Sequence, residues 1–264
     1  MTKNDLIIGA TAGDIIGSAY EWNNVKATDF KLFSNKTDFT DDSVLTFATM
    51  DVLLTNGNYT EVYQSYGRKY PGRGYGGNFY DWIYDQNPKP YNSWGNGSAM
   101  RASPIGWYGN SIEEVMNEAK KSAIVTHNHP EGIKGAQAAA VSVFLARTGK
   151  SKEEIKNFIK ETFQYDLDRK LDDIRKYYRF DVSCQGSVPE AIIAFLESTD
   201  YENAIRLAIS IGGDSDTIAC ITGGIAEAFY KTIPDYIIEK TLKALPKEVV
   251  ELIKVFSMKY MKWE

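Results

Sequence analysis

Helical periodicity, recurring along most of the chain, is the feature that most constrains the fold of this 264-residue sequence. After Thr40, for example, the residues Val44, Leu45, Ala48 and Val52 lie on one face of a helix. Similar in-phase apolar residues follow the segment 212–217. The sequence shows neither a series of alternating strands nor an Asn-Gly hairpin between two alternating runs. These patterns predict an all-α fold in one domain that spans residues 1–264.

Local signals predict where several of the helices begin. Ser111 and Ser151 are each followed three residues later by a glutamate, which is the capping-box pattern at a helix start. Asp200 is a preferred N-cap residue and precedes another apolar helical face. We expect Pro189 to lie in the first turn of a helix and Pro234 to precede one.

The first predicted helix carries a stripe of small residues. Gly9, Gly13 and Gly17 recur every four positions, which indicates a face that packs closely against another helix. Asp14 is expected to be a buried hydrogen-bonding residue on this apolar element. Glu21, at the end of the helix, is placed to reach a functional site.

Residues 66–110 break the helical pattern because they are rich in Gly, Pro, Tyr and Asn. A loop of that length inside a compact domain is uncommon unless it is functional. Its aromatic content favours an ordered segment that lines a surface over a flexible linker. We therefore expect a long functional loop here.

The composition narrows the classes of function. The chain has 30 Lys and Arg against 35 Asp and Glu, and its net charge of −5 argues against specific nucleic-acid binding. Cys184 and Cys220 are too few for a disulfide framework and favour a reducing cytoplasm. Because no run approaches about 18 apolar residues, no membrane span is expected.

Two clusters combine carboxylates with a hydroxyl. One is Thr40-Asp41-Asp42, and the other is the segment Gly212-Gly213-Asp214-Ser215-Asp216-Thr217. Each precedes or opens a predicted helix, so helix capping is one explanation. One side chain is enough for a cap, however, and closely packed like charges are unfavourable unless a cation neutralises them. Metal binding is therefore the second explanation.

The ligand types favour a hard cation. Four carboxylates with neighbouring hydroxyls, and no His or Cys beside them, suit Mg²⁺, Mn²⁺ or Ca²⁺ better than zinc. If the clusters meet, two ions about 3.5–4 Å apart are expected. Asp42 and Asp214 are 172 positions apart in the chain, so only the fold can bring them together.

Two further segments are candidates for ligand recognition. Both histidines of the chain, His127 and His129, lie in one short segment, which is compatible with polar recognition or with a structural turn before Pro130. The segment from Asn96 to Arg101 resembles a loop that enters a helix, where backbone amides bind phosphate. Most such loops bind nothing, so this signal is weak alone.

Five segments, in this order, resemble the ADP-ribosylglycohydrolase family. They are GDIIGSAYE, FTDDSVLTFA, GNGSAMRASPIG, THNHPEGIKGA and GGDSDTIACITGGIAEAFY, and they extend from about Gly9 to about Tyr230. The combination of TDD with GGDSDT is the specific part. The resemblance implies a compact orthogonal bundle of helices around a site for two Mg²⁺ ions, with Mn²⁺ as an alternative.

Family positions carry over to this chain residue by residue. The implied metal ligands are Thr40, Asp41, Asp42, Asp214, Asp216 and Thr217. Ser215 stands where family members usually have Thr. The implied substrate-binding residues are Asn96, Gly97, Ser98, Ala99, Met100 and His127. Asp41, Asp42 and Glu21 are the alternatives for proton transfer during catalysis, and the sequence does not choose among them.

The function implied by the resemblance is hydrolysis at the anomeric carbon of the distal ribose, which releases ADP-ribose from a protein side chain or another acceptor. Alternatives are hydrolysis of a small derivative such as O-acetyl-ADP-ribose, or binding of ADP-ribose without catalysis. A monomer in the cytoplasm is expected. The aromatic candidates for stacking on adenine are Tyr75, Phe79, Tyr80 and Trp94, and for each of them packing is the other explanation.

Overall fold

The computed structural model describes residues 5–261, and within this range the regular secondary structure is helical. One isolated β-bridge, between Gly95 and Ser183, is the remaining regular pairing in that range. The helices are α1 (Gly9–Ser18), α2 (Asp41–Thr55), α3 (Tyr59–Lys69), α4 (Gly77–Tyr84), α5 (Gly97–Met100), α6 (Ser103–Tyr108), α7 (Ile112–Ile124), α8 (Pro130–Arg147), α9 (Lys152–Phe163), α10 (Leu171–Tyr177), α11 (Cys184–Glu197), α12 (Tyr201–Ser210), α13 (Ser215–Tyr230), α14 (Asp235–Ala244) and α15 (Lys247–Tyr260). The predicted all-α fold is confirmed.

Helix α13 lies at the centre of the molecule. It is buried continuously from Ser215 to Ala228, and it packs against α1, α8, α11 and α12. A helix that is buried on every side has no face for solvent and must be surrounded by other elements. None of the helices in the described range is long and apolar enough to cross a membrane.

The glycine stripe of α1 packs directly on the backbone of α13, as predicted. A Cβ atom added to Gly13 would lie 2.1 Å from the carbonyl oxygen of Ala219, and one added to Gly17 would lie 2.5 Å from Cα of Asp216. No side chain fits in either space. The stripe therefore brings the backbones of the two helices together beside Asp216.

The predicted capping signals are mostly correct. Ser151 and Glu154 form a complete capping box at the start of α9, and the carboxylate of Asp200 accepts a hydrogen bond from the Asn203 N–H at the start of α12. The box predicted at Ser111 is only half formed. The Ser111 hydroxyl accepts from the backbone N–H of Glu114, but the Glu114 carboxylate accepts from Asn110 instead of Ser111.

The expectation for Pro189 is wrong. Helix α11 begins at Cys184, so Pro189 lies inside the helix and not in its first turn. The start is set by Ser183, whose hydroxyl accepts from the backbone N–H of Gly186 at 3.1 Å. Pro234 does precede a helix, as expected.

The long loop predicted for residues 66–110 is also corrected. Helix α3 continues to Lys69, and the helices α4, α5 and α6 occupy much of the remainder. The longer irregular segments that remain are 70–76 and 85–96. Apolar residues such as Phe79 and Trp82 pack one face of α4 into the core, which stabilises a helix despite the surrounding glycines.

Candidate active site

The two acidic clusters meet in one cavity of about 340 Å³. Thr40, Asp41 and Asp42 reach it from the start of α2, and Asp214, Asp216 and Thr217 reach it from the start of α13. The volume lies within the range of about 300–1,000 Å³ that is typical of small-molecule sites. The fold thus supplies the convergence that sequence spacing alone does not show.

Two glycines form the turn that places the second acidic cluster at the cavity. Gly212 and Gly213 have φ angles of 71° and 74°, in the left-handed region that side chains rarely adopt. The tight turn that they form leads directly into Asp214 at the start of α13.

The carboxylates form two overlapping groups. Oxygen atoms of Asp14, Asp42 and Asp216 all lie within 4.8 Å of one another, and so do oxygen atoms of Glu21, Asp214 and Asp216. Asp216 belongs to both groups. Two neighbouring groups of three acids that share one member are a suitable ligand set for two hard divalent cations.

Helix capping does not account for these carboxylates. The cap of α2 is the hydroxyl of Thr40, which accepts a weak hydrogen bond from the Asp42 N–H at 3.3 Å. Asp214 occupies the N-cap position of α13, but its side chain accepts no capping hydrogen bond. Oδ1 of Asp42 is buried without a hydrogen-bond partner among the described residues. The capping explanation is therefore insufficient.

Burial and mutual repulsion raise the pKa values of the acids in the cavity. Burial, followed by the charge of Asp14, raises the pKa of both Asp41 and Asp42 well above the ordinary range. Burial and the charge of Asp214 act in the same way on the pKa of Asp216. The same two causes raise the pKa of Glu21 to about 7. A bound cation would relieve both the desolvation and the repulsion.

Asp14 organises the first cluster, in agreement with the prediction that it is a buried hydrogen-bonding residue. Its carboxylate accepts from the Thr40 hydroxyl at 2.7 Å and from the Thr40 N–H at 3.0 Å. It also accepts from the hydroxyl and the N–H of Ser43. Its membership of the first acid group was not predicted, because its position inside an apolar helix indicated only a structural role.

Asn96 connects the predicted ligand-binding loop to the second acidic cluster by a hydrogen bond. Its side-chain amide donates to Oδ2 of Asp214 at 2.7 Å and to the hydroxyl of Ser187 at 2.9 Å. Asn96, Gly97 and Met100 line the cavity. Ser98 and Ala99 are buried and do not line it, and the Ser98 hydroxyl donates to the carbonyl of Gly132 at 2.7 Å.

The two histidines have different positions. His127 lines the cavity and is almost fully buried. His129 is the N-cap of α8, where its Nδ1 accepts from the Glu131 N–H at 3.1 Å, and Pro130 is the first residue of that helix. Only His127 of the pair is therefore placed to contact a ligand in the cavity.

The aromatic lining differs from the predicted set. Of the four stacking candidates only Phe79 lines the cavity, whereas Tyr80 and Trp94 are exposed elsewhere and Tyr75 packs beside Phe79. Tyr91 and Phe180 line it instead. Trp22, which is 81% exposed, stacks on Phe180 with ring centres 5.1 Å apart.

Two cavity-lining arginines were also missed. Arg73 lies at the cavity with its guanidinium over the ring of Phe39, and Arg101 lines it although the side chain is 0% exposed. Both occur in glycine-rich segments, RGYGG and GNGSAMR, and a basic residue beside such a loop is the signal that was available.

Comparison with known proteins agrees with this arrangement. A sequence profile described as ADP-ribosylglycohydrolase matches residues 5–263. The ADP-ribosylhydrolase ARH3 of Homo sapiens is 28% identical, over 85% of this chain and 84% of its own length. The protein of the same name from Gallus gallus is 25% identical, with the same shares covered.

A structural comparison shows the same fold. A solved structure of an ADP-ribosylglycohydrolase-related protein complex superposes with a TM-score of 0.74 and 21% sequence identity, over 98% of both chains. The profile match spans nearly the whole sequence. The chain therefore belongs to the ADP-ribosylglycohydrolase family of hydrolases.

Proposed function

We propose that the protein is an Mg²⁺-dependent ADP-ribosyl hydrolase that cleaves the glycosidic bond at the anomeric carbon of the distal ribose. The observation that carries the proposal is the convergence of two carboxylate groups, sharing Asp216, in one small-molecule cavity. Relatives whose names describe ADP-ribosylhydrolases support the substrate class.

The donor atoms fit two hard cations. Thr40, Asp41 and Asp42 would hold ions from the side of α2, and Asp214, Asp216 and Thr217 would hold them from the side of α13. Oδ1 of Asp42, which has no hydrogen-bond partner between residues 5 and 261, is an oxygen ligand of the required kind. Bound Mg²⁺ supplies charge that orients ribose hydroxyls and polarises water, and Mn²⁺ suits the same oxygen atoms.

Glu21 is an accessible acid that is placed to exchange protons. It lies at the edge of the cavity and is partly exposed, whereas Asp42 and Asp216 are nearly inaccessible to water. A group that exchanges a proton during glycoside hydrolysis needs access to the reacting oxygen and to solvent. Asp41, which is also partly exposed and belongs to neither acid group, is the other accessible candidate, whereas the burial of Asp42 within the first acid group favours a role in holding cations.

The remainder of the cavity provides hydrogen-bond donors and aromatic surface. His127, Gly95 and Gly97 lie together on one wall, and Tyr91 and Phe180 contribute rings. This combination suits a ligand that has a phosphate group and a planar base. The acids at one part of the cavity and the donors at another match the two chemically different parts of ADP-ribose.

The test is release of ADP-ribose from arginine-linked, serine-linked and O-acetyl substrates, with Mg²⁺ or with EDTA. Release that needs Mg²⁺ is expected, and the substrate that is turned over identifies the acceptor. Asp42→Asn and Asp216→Asn should each reduce release by at least about 100-fold, since even outer-shell changes reduce metal-site activity by about 10–100-fold. Asp29→Asn, which alters an exposed acid outside the cavity, is the control.

Two results would contradict the proposal. One is full activity in EDTA, which would remove the role of the cations. The other is no release from any of the three substrates by wild-type protein that binds ADP-ribose in the presence of Mg²⁺, which would favour a binding protein without catalysis.

A further inference from the structure

Arg101 is a buried cation without a buried anion beside it. Within the described residues no nitrogen of its guanidinium group bonds a carboxylate, and its side chain is 0% exposed. Its Nη2 donates to the carbonyl of Ser122 at 2.9 Å and to the hydroxyl of Thr126 at 3.0 Å. Nε and Nη1 find no hydrogen-bond partner in the part of the chain that the structure describes, and the guanidinium lies 4.5 Å from the ring centre of Tyr63. Because an uncompensated buried charge is unfavourable, its presence beside the cavity calls for an explanation.

Thr126 connects Arg101 to His127. The Thr126 Oγ1 lies 3.0 Å from Nη2 of Arg101 and 2.7 Å from Nδ1 of His127. A threonine hydroxyl has one proton and two lone pairs. Since the guanidinium can only donate, it occupies one lone pair of Oγ1 and leaves the hydroxyl proton and the second lone pair for other partners. If the hydroxyl proton is donated to Nδ1, the ring proton of a neutral His127 is on Nε2; if the second lone pair accepts from Nδ1–H, it is on Nδ1. A hydroxyl that accepts from a cation becomes a stronger donor, which favours the first arrangement.

The Nε2 atom of His127 faces the glycine loop of the cavity. A Cβ atom added to Gly97 would lie 3.2 Å from Nε2, and one added to Gly95 would lie 3.4 Å from it. The absence of side chains at both positions leaves the nitrogen uncovered. Burial first, and the charge of Arg101 second, lower the pKa of His127 well below its ordinary range, so the ring is neutral.

We propose that Arg101 is a positioning residue that acts through Thr126 to hold His127 as the Nε2–H tautomer, so that the ring donates a hydrogen bond to the anionic part of the ligand. The ligand class rests on the function proposed above. The tautomer itself is a property of the free protein. The charge of the guanidinium, placed behind the histidine, additionally favours an anion at this wall.

The tautomer can be measured directly by long-range ¹H–¹⁵N NMR of the imidazole nitrogens. The chain has two histidines, and His129→Asn assigns the spectrum while it preserves a side chain that can cap α8. We expect Nδ1 of His127 to give the signal of an unprotonated nitrogen and Nε2 that of a protonated one. A protonated Nδ1 in the wild-type protein would overturn the inference.

Variants test whether Arg101 and Thr126 control the tautomer of His127. Thr126→Val removes the hydroxyl and should mix the two tautomers and raise the Kd for ADP-ribose about tenfold, the effect of about one hydrogen bond to a charged group. Thr126→Ser keeps the hydroxyl and should retain both the single tautomer and the wild-type Kd. Arg101→Lys, which keeps a donor, should change the tautomer and the Kd less than Arg101→Met does. The control is Thr222→Val, because Thr222 is equally buried and its hydroxyl donates to the carbonyl of Ala191.

The two proposals fail in different ways. An unchanged tautomer and an unchanged Kd in Thr126→Val would refute the positioning role and leave the hydrolase function intact. Wild-type protein that does not bind ADP-ribose would refute the proposed function, and the NMR spectrum of the free protein would still decide the tautomer. If Thr126→Val does not fold, the wild-type spectrum and the Arg101 pair decide the question.

Discussion

Replacing Gly13 by alanine tests whether the contact between α1 and α13 is as close as the structure shows. The new methyl group would lie 2.1 Å from the carbonyl oxygen of Ala219 and 2.6 Å from its carbonyl carbon. Both atoms belong to the backbone of a fully buried helix, so they cannot rotate away as a side chain would. To reach ordinary contact near 3.4 Å, the helices must separate by about 1.3 Å at this point.

The expected loss of unfolding free energy in Gly13→Ala follows from two opposing effects. Overpacking a well-packed core costs about 1–3 kcal/mol, and a clash with rigid backbone belongs at the upper end of that range. The higher helix propensity of alanine compared with glycine stabilises the helix by about 1 kcal/mol. The net loss of about 2 kcal/mol corresponds to a Tm lower by about 4–8 °C for a protein of this size.

Thermal unfolding and urea unfolding, followed by circular dichroism, measure this loss. Gly77→Ala is the matched control because a Cβ atom at Gly77 would meet no atom within 4 Å, and its Tm should stay within about 2 °C of wild type. Equal stability of the two variants would refute the close contact. Because Asp14 follows Gly13, the clash should also weaken the rise in Tm that Mg²⁺ produces.

The remaining predictions concern charge and capping. Asp216→Asn should raise the Tm of the metal-free protein by relieving buried repulsion. It should also abolish the stabilisation by Mg²⁺, which for wild type reaches about 2.7 kcal/mol of unfolding free energy at 100 times Kd. A retained Mg²⁺ response in differential scanning fluorimetry would remove Asp216 from the ligand set. Burial raises the pKa of Glu227 from 4.5 to about 8, so the unfolded chain loses this proton first and the free energy of unfolding should fall as pH rises between those values. Glu227→Gln should flatten that decline in urea titrations at several pH values, and an equally steep decline would contradict the assignment. Ser151→Ala should lower the free energy of unfolding by about 1 kcal/mol because α9 loses its capping box, and an unchanged urea midpoint would show that the cap is dispensable.

Local features of the fold could be predicted because their causes are local. The capping box at Ser151 and the cap at Asp200 depend only on residues three positions away. Pro189 shows the limit of that reasoning. Proline is favoured in a first turn, but Ser183 supplies an earlier start, and the helix accommodates the proline inside a buried segment. Here tertiary packing outweighed local preference.

The site was predictable only in part, for a similar reason. The carboxylates at Asp42 and Asp216 were visible as clusters, whereas their convergence depends on how α2 and α13 pack. Asp14 was read as structural because a single acid in an apolar helix has no local signature of a ligand. The glycine-rich segment that ends at Arg101 was a signal for a basic residue near the site. Its burial without a counter-charge among the described residues depends on the fold, and a sequence does not show that.

The glycine stripe of α1 has a consequence for how the molecule is made. It is separated by about 200 residues from the part of α13 on which it packs, yet the two helices are in backbone contact. During synthesis α1 therefore cannot pack on α13 until most of the chain has emerged from the ribosome. Contacts between such distant segments slow folding, and domains of this size commonly fold through intermediates. The acids on the two helices can meet only at the end of this process, so a nascent chain lacks the assembled site until it is nearly complete.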